Sequence, residues 1–83
     1  MKHARPDYDR LQDPAGLIPD LEPVFLLRGQ DRNSIVAILA WAASAEMTGA
    51  SPEIVMHARV QAEAMRKWQE AGHVKTPDLP LAK

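Results

Sequence analysis

Ile35-Val36-Ala37-Ile38-Leu39-Ala40-Trp41-Ala42-Ala43-Ser44-Ala45-Glu46-Met47 is the stretch that decides the fold, because eleven of its thirteen residues are apolar and only Ser44 and Glu46 interrupt them. An amphipathic surface helix needs one apolar stripe, whereas a helix apolar on every side must be covered from several directions or lie in lipid. At ~1.5 Å rise per residue the stretch reaches ~20 Å, short of the ~30 Å hydrocarbon core of a bilayer. It therefore reads as a buried helix. A chain of 83 residues has little else with which to surround it, so the expectation is a partner subunit.

The flanks set its limits. Asp31, Asn33 and Ser34 are candidate N-caps, and Thr48-Gly49-Ala50 closes the helix, with Gly49 suited to a left-handed position past its end. Ser51-Pro52 opens a second helix as N-cap and first helical residue, Glu53 suits its positive end, and Gly72 stops it. The predicted helices cover 33–48 and 52–71, and the short link between them folds the pair into a helical hairpin. At 100° per residue Ile54, Ala58, Ala62, Met65 and Trp68 share one face of the second helix, with Val55 and Gln61 at its margin. Arg59, Glu63, Arg66, Lys67 and Glu70 lie opposite.

Residues 1–22 carry Pro6, Pro14, Gly16, Pro19 and five acids, Asp7, Asp9, Asp13, Asp20 and Glu22, without a helical or strand period. Leu11, Leu17, Ile18 and Leu21 make part of this arm too apolar for solvent and lay it across the helices. Pro23-Val24-Phe25-Leu26-Leu27-Arg28 fits a strand or one helical turn equally well. If extended, it must pair with residues 1–22 or with a symmetry mate, since a lone strand leaves its backbone groups unsatisfied. His73 to Lys83, with Pro77 and Pro80, reads as an extended or disordered tail. The domain reading is one small domain, 1–83, with flexible ends at 1–7 and 74–83.

Composition narrows the functional classes. With 46% apolar and 25% charged side chains the chain is one soluble globular domain, and without cysteine it has neither disulfides nor thiolate metal sites. A domain of this size buries only ~60% of its unfolded surface, which leaves association as the route to stability. The net charge of −1 gives no basic footprint for nucleic acid. Neither a signal sequence nor a membrane span is visible, so the expected location is cytoplasmic.

Catalytic equipment is not visible. Glu53 and His57, four apart, supply two metal ligands where more are needed and read as a solvated pair. Asp7, Asp9 and Asp13 lack the register of a calcium loop. No elbow serine and no phosphate-cradling glycine loop occurs. The two helices match the outline of a DNA-binding helix-turn-helix with Arg59, Arg66 and Lys67 as contacts, but the second helix opens with Pro52, Glu53, Ile54 and Val55, where such modules read bases. Pro77-Asp78-Leu79-Pro80 is a P-x-x-P spacing of the kind that arises by chance. Met56 and Val60 sit among charges and suggest a second contact surface.

Glu22-Pro23-Val24-Phe25-Leu26-Leu27-Arg28-Gly29-Gln30-Asp31, followed by an alanine-rich helix, Gly49-Ala50-Ser51-Pro52-Glu53 and a helix ending near Met65 and Trp68, resembles small proteins of phages and prophage-like elements of proteobacteria. Such proteins include anti-CRISPR inhibitors, compact binding proteins without enzyme motifs. The resemblance implies a non-enzymatic steric inhibitor of a host defence complex, without cofactor. The alternatives are a phage accessory protein acting by self-association and a DNA-binding regulator.

The expected fold is all-α with at most one short strand: a helical hairpin under an extended N-terminal arm, doubled into a four-helix homodimer. Ile35, Ile38, Leu39, Trp41, Ala42, Ile54, Met65 and Trp68 are assigned to core and dimer contacts. Asp7, Asp9, Asp13, Asp20, Glu22, Met56, Arg59, Val60, Arg66 and Lys67 are the candidate residues for binding a host partner.

Overall fold

A computed structural model describes residues 2–3, 13 and 15–78. Its elements, in chain order, are β1 (Lys2–His3), β2 (Pro23–Val24), α1 (Ser34–Met47) and α2 (Pro52–Glu70). The chain divides into a unit formed by 27–77 and a unit formed by 1–26 with 78–83.

In the second of these units β1 and β2 pair in parallel, Lys2 with Pro23 and His3 with Val24. The extended alternative for residues 23–28 thus holds at its start, and the pairing partner lies in the arm of the same chain. The Asp13 carboxylate accepts hydrogen bonds from Leu17 N at 3.0 Å and Ile18 N at 3.1 Å, which closes a turn around Gly16. Residues 4–12, and with them Asp7 and Asp9 of the acidic arm, lie outside the described residues.

The unit 27–77 is the helical hairpin. The N-cap of α1 is Asn33, whose side chain does not cap; the Asp31 carboxylate instead accepts from Asn33 N at 2.8 Å and Nδ2 at 3.1 Å. Ser34, fully buried, donates its hydroxyl to Asp31 O at 2.8 Å. Gly49 takes φ +87° at the turn out of α1, a conformation that side-chain-bearing residues adopt at a cost. At the start of α2, Ser51 Oγ accepts from Ile54 N, and Pro52 occupies the first turn, where its missing N–H costs nothing.

The two helices meet along a seam of small side chains. Ala42 and Ala45 of α1 pack with Val55 of α2, flanked by Ala50 and Ala58, and Ala62 and Met65 continue the buried line along α2. Alanine at these positions lets the backbones approach closely. The buried stripe of α2 is therefore centred on Val55, Ala62 and Met65, which leaves Ile54 and Trp68 exposed on one flank. At 100° per residue the inward arc of α1 holds Ser34, Ile35, Ile38, Ala42 and Ala45 and spans about 100°.

That arc corrects the reading of α1 as a helix buried on all sides. A single neighbouring helix covers one stripe, and the described residues of this unit provide no second layer over the rest. Of the eight residues assigned to core and dimer contacts, Ala42 and Met65 are buried and Ile35 and Ile38 half-buried, while Leu39, Trp41, Ile54 and Trp68 are exposed in the single chain.

The loop before α1 is fixed to the end of α2. Gln69 Nε2 donates to Gly29 O at 2.9 Å and Asp31 O at 2.8 Å. Gly29 lies against Trp68 and Met65, where a side chain would touch both. Beyond α2 the chain runs extended, and Lys75 bridges back to the same loop, its N–H donating to Gln30 O while its carbonyl accepts from Arg32 N. The sequence assigns 74–83 to a flexible end; these bonds hold its Lys75, and 79–83 lie outside the described residues.

Candidate protein-binding surface

Outward from the seam, α1 presents about 220° of its circumference, running from Glu46 and Leu39 on one margin through Ala43, Val36, Met47 and Ala40 to Trp41 on the other. Glu46 is the one charged residue of this arc and stands at its edge. Val36 is 66% exposed, Leu39 45%, Trp41 51% and Met47 88%. Together these four leave on the order of 500 Å² of apolar surface in water, in the upper range of the largest patch that a monomer shows.

The two sides of the hairpin differ. On one, Glu46 Oε2 accepts from Arg59 Nη2 at 2.8 Å, tying α1 to α2. On the other lies an apolar groove of about 420 Å³ lined by Leu27, Ala37, Ile38, Trp41, Ala58 and Gln61. The indole of Trp41 forms one wall and the Gln61 amide supplies the polar edge. A groove of this volume is in the range that accepts a large apolar side chain or small ligand.

The charges of α2 are neutralised within the helix. Arg66 Nε donates to Glu63 Oε2 at 2.8 Å, Nη2 donates to Glu63 Oε1, and Nη1 donates to Glu70 Oε2 at 2.5 Å. The hydrogen bonds from Arg66 hold the Glu63 carboxyl below its ordinary 4.5, and the two carboxylates raise Arg66 further above the guanidinium range. Because Glu63 titrates lower in the folded chain than in the unfolded chain, its contribution is fully present above about pH 4.5 and is lost as pH falls through the folded value. Circular dichroism of Glu63→Gln is expected to show a flatter loss of helix between pH 5 and 3 than the parent. An identical acid limb would refute that role.

The candidate binding residues separate into groups. Asp13 is occupied in its turn, and Asp20 and Glu22 are exposed in the unit that contains β1 and β2. On α2, Met56, Val60 and Lys67 share the face directly away from α1, with Met56 and Val60 55% and 61% exposed. Arg59 and Arg66 lie on a neighbouring face, each in an ion pair. The helix-turn-helix contacts Arg59, Arg66 and Lys67 thus point in two directions, and two of the three are neutralised.

Glu53 and His57 are both exposed. His73 stacks on Trp68 with ring centroids 3.9 Å apart and planes 17° from parallel. Among the described residues no three His, Cys, Asp or Glu side chains converge as a metal site would require, and no helix is long and apolar enough to cross a membrane.

Three features of the hairpin were not legible in the sequence. Leu27 and Gln61 line the groove without any periodic signal that would pair them, and the two-carbonyl contact of Gln69 depends on a loop forty residues away. The alanines Ala37, Ala40 and Ala43 were legible as part of an apolar run, but not as its outward half. Compared with known proteins, the chain matches no family model, no curated protein and no solved structure.

Proposed function

We propose that this protein acts by binding protein, without catalysis or cofactor, and that the outward face of α1 with its adjoining groove is the contact surface. The observation that carries the reading is a helix whose exposed 220° holds Val36, Leu39, Trp41 and Met47 with one charge at the margin. Interface centres are depleted of charge and enriched in Trp and Met, and this face is poor in charge and sets Trp41 and Met47 among its alanines. A steric inhibitor of a host defence complex and an accessory protein that self-associates would both work through such a surface. The internal pairing of Arg59 and Arg66 with carboxylates speaks against phosphate binding, which needs cations that can release counterions.

A photo-crosslinking residue introduced at Ala40, in the middle of the face, is expected to capture polypeptide in cells that produce the protein. The same residue at Val60, on the far side of α2, is expected to capture little. Adducts from Val60 and none from Ala40 would transfer the contact surface to the Met56–Val60 patch and overturn the assignment.

A further inference from the structure

Resting on that contact surface, we infer that its occupant is a second copy of the same chain, docked with the two α1 helices antiparallel about a two-fold axis that passes between Ala40 and Ala43. Val36, Ala40, Ala43 and Met47 recur at i, i+4, i+7 and i+11, the spacing of a coiled-coil seam, and all four are exposed in the single chain. Around this axis Ala40 faces Ala43 of the partner subunit, so the smallest side chains sit where the helices come closest. Val36 then meets Met47 of the partner subunit at either end. The seam is self-complementary, as an isologous interface requires.

Charge selects the antiparallel arrangement. The first turn of α1 holds no acidic residue and its last turn no basic one, so neither end of its dipole is compensated within the helix. An antiparallel copy lays the negative C-terminal end of each α1 beside the positive N-terminal end of the other, with Arg32 preceding it, while Glu46 stays in its pair with Arg59. A parallel copy would set like ends together and bring the two Glu46 carboxylates to the same level.

Self-complementarity selects the copy over another partner. Val36 and Met47 stand on this seam, 66% and 88% exposed, and Leu39 flanks it, so the contact covers apolar surface that a single chain leaves in water. A second copy carries the same face and is present wherever the chain is made.

Light scattering during gel filtration of the full chain is expected to give twice the 9.2 kDa chain mass at tens of micromolar. Ala43→Glu is expected to return the chain to the single mass with its helical circular dichroism retained, since Ala43 faces solvent in one chain. For the register, an oxidised equimolar mixture of Ala40→Cys and Ala43→Cys variants is expected to give the mixed disulfide faster than either variant alone gives its own. A parent chain of 9.2 kDa throughout the micromolar range overturns the proposal, as does a dimer that Ala43→Glu leaves intact. Faster pairing of like cysteines overturns the antiparallel register. If the parent is a single chain while Ala40 still captures another protein, the contact surface stands and its occupant is that protein.

Discussion

Ala42→Glu is expected to abolish cooperative unfolding, and Ala43→Glu, one residue further, to leave the hairpin folded. Ala42 is 0% exposed at the centre of the contact with Val55, in a seam where alanine sets the distance between the helices. A glutamate there must either bury a charge without a partner or force α1 and α2 apart. Removing compensation from a buried charge costs about 3–5 kcal/mol, and the wedge adds overpacking strain, against a total stability of about 5–15 kcal/mol for ordinary domains and less for one this small. Ala43 lies 100° round the helix on the exposed face, where glutamate meets water. Urea denaturation followed by circular dichroism checks both variants. Equal melts would show that the seam lies elsewhere on α1.

Trp68→Ala is expected to destabilise the chain at least as much as Trp41→Ala when both are made in the Ala43→Glu background, where self-association is removed. A helix α1 buried on every side, as the sequence suggests, would give the opposite order, with Trp41 in the middle of the apolar run several times more costly. In the structure the two indoles are equally open, 51% and 52% exposed. Trp41 forms one wall of a groove, whereas Trp68 lies against Gly29, stacks on His73 and closes the chain segment that leads to Lys75. Full loss of a buried aromatic costs about 3–5 kcal/mol, so a half-exposed one is expected to cost about 2 kcal/mol. Loss of Trp68 should also raise amide exchange at Arg32 and Lys75, whose N–H groups bond across the bridge. A several-fold larger cost for Trp41 in the Ala43→Glu background would refute this ordering.

Both variants turn on which side of a helix faces inward, and the sequence left that open for α1. Where apolar residues occupy every direction around the axis, periodicity carries no information about the buried side. Along α2 the charged residues Glu63, Arg66, Lys67 and Glu70 break the symmetry, and the inward face was legible to within about 60°: Ala58, Ala62 and Met65 belong to it, while its centre moves from Ile54 and Trp68 towards Val55 and Gln69.

By itself the sequence determined the two helices, their ends and their hairpin. Ser51-Pro52, Gly49 and Gly72 act through local backbone chemistry, which needs no distant partner, and the short link at 48–51 leaves the helices little choice but to turn back on each other. Tertiary structure alone decided that the packed side of α1 is the one that carries Ala42 and Ala45, that Leu27 and Gln61 complete a groove, and that Gln69 and Lys75 both hold the loop at 29–32. Each of these joins residues far apart in the chain, and close approach is set by the size of what lies between two backbones: Ala42, Ala45 and Ala62 stand at the helix contact with Ile35 and Ile38 half-buried beside them, while Val36, Trp41 and Met47 face outward together with Ala37, Ala40 and Ala43.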